Sequence, residues 1–327
     1  MTITRPTDLG AALGRLDGTG ARPRAGGTDL TACLAAGVVE PAPVVDLTGV
    51  EDLRGVVWAA DGSARVGALT RIAELSGDPL LADAYPALAL TAAALATPQV
   101  RGTATVGGNL LQRNRCWYLR NPAFDCFQTG GDSCPARSGD HLYGVVVDQG
   151  PCAAPHPSSL AVALLAYGAS VRVAGGRERD LPVASLYDGT DPTRDHVLDP
   201  REVLVSVALP APAPGERAAY LRATGRSRAE WPLVEVAVRL VCGDGTGPVT
   251  SASVAVGGVA RTPLLLPGVG EALVGAVPGT APDENVDVAL AALADLCDPL
   301  PATGYKVDLL SATVRAGVER ALGTPAE

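Results

Sequence analysis

Two short stretches decide how this chain is read: Arg24-Ala25-Gly26-Gly27-Thr28-Asp29-Leu30, and Gln99-Val100-Arg101-Gly102-Thr103-Ala104-Thr105-Val106-Gly107-Gly108-Asn109-Leu110. The first lies between an expected short strand at 22–24 and an expected helix running to about Ala36. Paired glycines let backbone amides come close to a phosphate, and a helix start adds a favourable potential. Thr28 adds a hydroxyl. The spacing matches neither the Rossmann G-x-G-x-x-G nor the phosphate loop ending in Gly-Lys-Ser/Thr. The same residues also suit an ordinary helix start capped by Asp or Thr. The second stretch repeats the glycine pair and brings Thr103, Thr105 and Asn109 as neutral donors. Two such loops could grip opposite sides of one long diphosphate. In a chain with 38 glycines, two unrelated turns are the competing reading.

Working outward, Leu9–Leu16 has the spacing of an amphipathic helix, and 41–47 reads as a strand turning at Thr48 and Gly49. Strands are expected at 55–59 and 64–66 around Asp61-Gly62, a short helix at 70–75, and an alanine-rich helix at 84–94. Residues 112–157 lose periodicity and collect Cys, Pro, Gly and Asn. So long an irregular stretch inside a domain points to function. A helix at 160–167 and a strand at 169–173 restore order. Pro210-Ala211-Pro212-Ala213-Pro214-Gly215-Glu216 is the clearest linker. Beyond it, 233–241 and 251–256 alternate like antiparallel strands, and 286–296 and Tyr305–Leu322 have helical spacing. The expected organisation is one subdomain at 1–52, a second at 53–212 carrying the irregular loop 112–157, and a smaller α+β domain at 217–327.

Bulk composition narrows the function. The chain has 327 residues, 47% of them hydrophobic, and a formal net charge of -9 without a basic run. A nucleic-acid groove, which needs a Lys/Arg stripe, is disfavoured. The first twelve residues carry no export signal, and no segment approaches the roughly eighteen uninterrupted apolar residues of a membrane helix. The chain is therefore expected to stay in the cytoplasm unless a partner carries it elsewhere.

Seven cysteines, an odd number, argue against a disulfide scaffold. Four of them, Cys116, Cys126, Cys134 and Cys152, are spaced C-x9-C-x7-C-x17-C in the irregular loop. Four thiolates can hold a cubane [4Fe-4S] centre or a structural zinc, although zinc sites favour tight C-x2-C pairs. Unliganded thiols are the third reading. Both phenylalanines of the chain, Phe124 and Phe127, fall here with Trp117 and Tyr118, where they could shield a cluster or simply pack the loop. His156 follows Cys152 closely and fits either a ligand contact or a satisfied structural histidine. His196 sits in an Asp-rich turn and is expected to face solvent. No serine elbow, zinc-protease helix or kinase-like lysine set is present.

These stretches, together with Val66-Gly67-Ala68-Leu69-Thr70, His156-Pro157-Ser158-Ser159-Leu160-Ala161-Val162-Ala163-Leu164, Gly257-Gly258-Val259-Ala260 and Tyr305-Lys306-Val307-Asp308-Leu309, resemble a known family in order and over essentially the whole chain. That family is the FAD-binding medium subunit of the xanthine dehydrogenase/carbon monoxide dehydrogenase group of molybdenum hydroxylases. The four cysteines, preceded by Gln112-Arg113-Asn114-Arg115, are most similar to the branch with an additional [4Fe-4S] cluster, and within it to periplasmic aldehyde oxidoreductases. The resemblance implies an α+β fold: a vanillyl-alcohol-oxidase-type FAD-binding domain in two subdomains, then a small C-terminal domain.

By the same resemblance FAD contacts are expected from Arg24, Ala25, Gly26, Gly27, Thr28, Asp29 and Leu30, and from Ala68 and Leu69. Further contacts are expected from Arg101, Thr103, Thr105, Gly107, Gly108, Asn109 and Leu111, and from His156, Ser159 and Leu160. Cys116, Cys126, Cys134 and Cys152 are the implied cluster ligands. Ser159 stands where the family commonly has Asp, Gly102 where it usually has Asn, and 222–231 departs from the usual Arg-Ala-Ser-rich strand entry. The implied partners are a large molybdenum-cofactor subunit, a small subunit with two [2Fe-2S] clusters and an external electron acceptor. A catalytically silent assembly protein and a stand-alone flavin oxidase are the alternatives.

Overall fold

The computed structural model describes residues 2–324. The N-terminal unit is a three-stranded parallel sheet in the order β1-β3-β2, formed by β1 (Ile3–Thr4), β2 (Arg22–Arg24) and β3 (Val44–Asp46). Val44 and Val45 are buried in the central strand, while β2 carries Pro23 on an edge, where its missing N–H is tolerated. Helix α1 (Leu9–Leu16) starts at Asp8, whose carboxylate accepts from the Ala11 amide at 2.8 Å, and it buries Ala12 and Leu16 against β3. Helix α2 (Leu30–Ala35) follows the first glycine loop directly.

The second unit is a five-stranded antiparallel sheet. Its strands are β4 (Val56–Trp58), β5 (Ala64–Gly67), β6 (Ser170–Ala174), β7 (Arg179–Pro182) and β8 (Val203–Leu209), in the order β4-β5-β8-β6-β7. Between β5 and β6 come α3 (Ile72–Gly77), α4 (Pro79–Ala84), α5 (Pro86–Ala94), α6 (Pro98–Arg101) and α7 (Val106–Leu110), then α8 (Pro135–Ser138) and α9 (Ser159–Ala166). Every residue of α9 is buried, as expected of a helix that is apolar all round. It packs between the five-stranded sheet and the C-terminal sheet, so residues of both, among them Val171, Val207, Ala237 and Ala255, share one core. From 111 to 158 the only regular element is the four-residue α8, in keeping with the lost periodicity.

The proline-rich stretch joins β8 to β9 (Glu216–Ala223), and the buried Tyr85 fastens it by donating to the Pro210 carbonyl at 2.8 Å. Beyond it, β9, β10 (Val234–Cys242), β11 (Val249–Gly257) and β12 (Leu264–Leu265) form an antiparallel sheet in the order β12-β11-β10-β9. Helices α10 (Pro267–Ala272), α11 (Glu284–Ala291) and α12 (Tyr305–Leu322) complete the chain. Helix α12 lies across β9 and β10 so closely that a side chain at Gly317 would meet Val236 at 2.7 Å. This is the two-domain α+β architecture anticipated from the sequence. No helix among the described residues is long and apolar enough to cross a membrane.

Candidate functional site

The two glycine stretches touch. A Cβ placed on Gly26 would lie 2.0 Å from the Thr103 carbonyl oxygen, so glycine is what lets the loops close backbone to backbone. Gly27 has φ +73°, the left-handed conformation that turns the chain from β2 towards α2. The second stretch is fixed from below by segment 68–72. The amides of Gly107, Val106 and Ile72 donate to the carbonyls of Ala68 (2.8 Å), Thr70 (2.9 Å) and Ala104 (3.0 Å). Glycine at 107 serves this seam, since its Cβ would meet the Ala68 Cβ at 2.9 Å.

Above the seam opens a cleft of about 780 Å³. Residues 24–30, Ala68, Leu69, Thr105, Gly107, Gly108 and Leu111 line it, and Leu198 and Leu204 extend its apolar wall. Such a volume suits a nucleotide-sized ligand. The two stretches differ in the amides they leave free for a diphosphate. Among the described residues, the amides of Gly26, Gly27 and Thr28 have no partner within the protein. Those of Val106 and Gly107 are taken by segment 68–70, and that of Gly108 by the Thr105 hydroxyl at 3.2 Å. The first loop offers three such donors, and the second adds the Thr105 amide, which has no partner among the described residues and belongs to a residue that lines the cleft.

Asp29 has a structural role beside the cleft. Its Oδ2 accepts from the Arg113 amide at 2.9 Å, and its Oδ1 from Arg115 at 2.5 Å and Arg120 at 2.9 Å. Burial raises its pKa, but Arg115, the Arg113 amide and Arg120 outweigh burial and hold the carboxyl below the usual carboxylate range. Asp29 borders the cleft, yet its carboxylate faces the cysteine loop and clamps it. A second carboxylate does the same from the other side. Asp195 accepts from Asn114 Nδ2 and Gln128 Nε2, each at 2.9 Å, and lies 3.6 Å from Arg113 Nε.

Several expected contacts stand outside the cleft lining. Arg101 donates to the carbonyls of Leu95 (2.6 Å) and Ala96 (2.9 Å), and Thr103 meets Gly26 through its carbonyl. Asn109 Oδ1 accepts from the Ser158 hydroxyl at 2.7 Å, tying the second loop to the start of α9. Ser159 and Leu160 are buried inside α9. His156 is buried edge-on to Tyr187, with ring centroids 4.2 Å apart, and burial lowers its pKa to about 3. In the other direction, the expectation that His196 faces solvent fails: it lines the cleft, beside Gln112 and Arg113, and its Nδ1 is buried without a partner. The sequence marked Gln112 and Arg113 only as part of the stretch before Cys116 and gave no signal for His196, because the two loops that meet here are far apart in sequence.

Cys116, Cys126, Cys134 and Cys152 line one small cavity with Tyr118, Phe127 and Asn114. All seven cysteines are free thiols, and the S–H of Cys152 beside Cys134 holds the Cys134 thiol below the ordinary range. Among the described residues, no three His, Cys, Asp or Glu side chains converge closely enough to hold a metal ion. Phe124 is half exposed and stacks edge-on with Tyr118, centroids 4.9 Å apart, while Trp117 is largely exposed.

Comparison with known proteins agrees with this geometry. Residues 1–212 match the family described as FAD binding domain in molybdopterin dehydrogenase, and residues 219–321 match the CO dehydrogenase flavoprotein C-terminal domain. The aldehyde oxidoreductase FAD-binding subunit PaoB of Escherichia coli (strain K12) is 33% identical over 79% of this chain and 80% of its own length. The carbon monoxide dehydrogenase medium chain of Afipia carboxidovorans is 27% identical over 97% of this chain and 95% of its own. Among solved structures, reconstituted CO dehydrogenase from Oligotropha carboxidovorans superposes with a TM-score of 0.76 at 25% identity, covering 99% of this chain and 98% of the other.

Proposed function

The chain belongs to the FAD-binding family of molybdopterin dehydrogenases, and from that membership we propose that it is the flavin- and [4Fe-4S]-bearing electron-transfer subunit of a molybdenum-dependent aldehyde oxidoreductase. In this reading residues 1–52 and 53–212 are the two halves of the FAD-binding domain. A separate molybdenum subunit oxidises the substrate, a small subunit with two [2Fe-2S] clusters delivers electrons, and an external acceptor removes them. The observation that carries the reading is the direct closure of Gly26 on the Thr103 carbonyl, which brings both glycine loops to one cleft.

Bound FAD supplies the chemistry of taking up single electrons and releasing a pair. The protein's part is to bind and orient. The free amides of Gly26, Gly27 and Thr28 suit the diphosphate, while Ala68, Leu69, Leu198 and Leu204 give the ring system an apolar wall that excludes water. Asp29 and Asp195 hold the cysteine loop against the cleft. Cys116, Cys126, Cys134 and Cys152 would hold the cluster. What supports this is their sharing of one cavity, shielded by Tyr118 and Phe127.

A catalytically silent scaffold is the second reading, and it draws on the lack of converged metal ligands among the described residues. Purification of the full chain without oxygen, followed by visible spectroscopy and iron, sulfide and zinc analysis, separates the two. Flavin absorption with iron and sulfide in cluster amounts supports the proposal. A colourless, iron-free protein rejects it. Turnover of an aldehyde by the isolated chain would instead make it a stand-alone oxidase.

A further inference from the structure

The first glycine loop is overlaid by a side chain from the end of its own strand. A Cβ on Gly27 would lie 2.8 Å from Arg24 Nε and 3.1 Å from Nη2, so the guanidinium rests across the loop in the space that glycine leaves open. Arg24 is held there by Asp46, its register partner on β3, whose Oδ2 accepts from Arg24 Nη1 at 3.1 Å. The carboxylate is itself fixed. Its Oδ1 accepts from the Thr48 amide at 3.0 Å and the Thr48 hydroxyl at 2.6 Å, and the side chain is only 12% exposed. Arg24 Nε and Nη2 have no partner among the described residues, and neither is sealed, since this side chain is 35% exposed. Arg24 lines the same cleft as residues 25–28. A positive charge with accessible donors thus stands beside the free amides of Gly26, Gly27 and Thr28.

We propose that Asp46 is a positioning residue for the nucleotide: it fixes the Arg24 guanidinium over Gly27, so that its free donors meet the same diphosphate as the loop amides. The inference rests on the FAD reading of the cleft. Asp46 stands outside the cleft lining and acts only through Arg24. A free arginine loses its rotamers when it grips an anion, whereas one already held by a carboxylate has lost them before the ligand arrives. Pairing also has an opposing effect, because the carboxylate offsets part of the attraction between Arg24 and an anion. The guanidinium has five N–H groups and spends one on Asp46, so it gains a fixed place and keeps most of its donors. Positioning and charge offset carry opposite signs when the Asp46 charge is removed, and an affinity measurement tells them apart.

The test is FAD affinity, measured by fluorescence titration of flavin-stripped full-length protein at low and at high salt. Wild type is compared with Asp46→Asn, Arg24→Gln and the double variant. Asn has the shape of Asp and keeps an acceptor for Thr48, but turns an amide rather than a carboxylate towards Arg24. Each single variant should bind FAD about tenfold more weakly, the loss of one charge-assisted hydrogen bond, and the double variant no more weakly than Arg24→Gln alone. Wild-type affinity should fall more steeply with salt than that of Arg24→Gln. Titration below the melting temperature of every flavin-free variant keeps loss of fold from being read as loss of contact. Binding by Asp46→Asn as tight as wild type, or tighter, overturns the assignment. So does a double variant in which the two losses add, since Asp46 then acts apart from Arg24. Equal salt dependence in wild type and Arg24→Gln removes the arginine from the diphosphate. If wild type itself takes up no FAD, the reading of the cleft fails and this inference falls with it.

Discussion

Replacing Asp29 by Asn tests whether the cofactor cleft and the cysteine loop are one mechanical unit. The native carboxylate meets Arg115, Arg120 and the Arg113 amide, and the side chains of Asp29, Arg115 and Arg120 are 17%, 23% and 16% exposed. Asn keeps one carbonyl acceptor but removes the charge, leaving two guanidinium groups facing each other. Breaking a fully buried pair costs about 3–5 kcal/mol, and the residual exposure here discounts that to about 2–3 kcal/mol. The loss should be local, because the pairs link Asp29 to residues 84–91 positions away and leave the sheets untouched. Amide hydrogen exchange of 113–120 should therefore quicken by roughly 30- to 150-fold, with exchange in β5, β8 and β10 unchanged.

The same carboxylate fixes a pH window. Its native pKa is lowered from 3.8, so its contribution is fully present above that value and is lost as pH falls through the native pKa. The difference between wild type and the Asn variant should hold steady from neutrality down to the unfolded value of 3.8, and vanish only below it. Equal protection of 113–120 in the two proteins at neutral pH would refute the clamp. So would a difference that disappears well above pH 4.

Other perturbations probe the rest of the site. Gly26→Ala sets a methyl carbon 2.0 Å from the Thr103 carbonyl, and should cost about 1–3 kcal/mol and release FAD, measured by melting and retained flavin. Replacing Cys126 or Cys134 by Ser should lower iron content while FAD stays bound; unchanged iron in both variants would remove these residues from the ligand set. Lys306, buried in α12, donates to the carbonyls of Tyr143 (3.3 Å), Gly144 (2.9 Å) and Gly258 (3.0 Å), fastening the cysteine loop to the C-terminal domain. Burial lowers its amine to about 7 from 10.5, so the unfolded chain binds the extra proton between these values and wild-type stability should rise with pH from 7 to 10.5. Lys306→Met should abolish that rise, as read in urea unfolding midpoints at pH 7 and 10, and cost about 2–3 kcal/mol by stranding the carbonyls.

Legibility divided along a physical line. Helix α1 and helix α12 fall on their expected bounds, Leu9–Leu16 and Tyr305–Leu322, because each has one apolar stripe on the surface of a sheet. The antiparallel pairing of 234–242 with 249–257 was equally readable from alternation. Strand β8 was not, since it is covered on both faces and five of its seven residues are buried, which erases the period of two. Within the site, the glycine loops were readable because close backbone approach demands glycine whatever the partner. What Gly107 approaches was not: it packs on Ala68 and turns no amide to the cleft.

Side-chain roles that depend on distant partners were the least readable. Asp29 lies in a motif that suggests a ligand contact, and only the fold reveals three arginine-bearing residues of 113–120 around it. His196 was assigned to solvent by its polar neighbours, yet those neighbours are what hold it in place. Asp195 looks polar and exposed in sequence because its partners, Asn114 and Gln128, come from the cysteine loop. The structural roles of Asp29, Asp195 and the residues beside them share one cause. The irregular segment 112–157 has a small apolar cluster of its own, Ala136, Val145 and Ala153, and inserts Val146 into the C-terminal core, while polar bonds from its surroundings hold the part that carries Arg113, Asn114 and Gln128. Those bonds are supplied by Asp29 and Asp195, and Lys306 adds its own at Tyr143 and Gly144, one residue from each of the three sheets' own neighbourhoods. A loop tied in this way moves with the cleft it borders, and any group it carries keeps a fixed place relative to the cofactor.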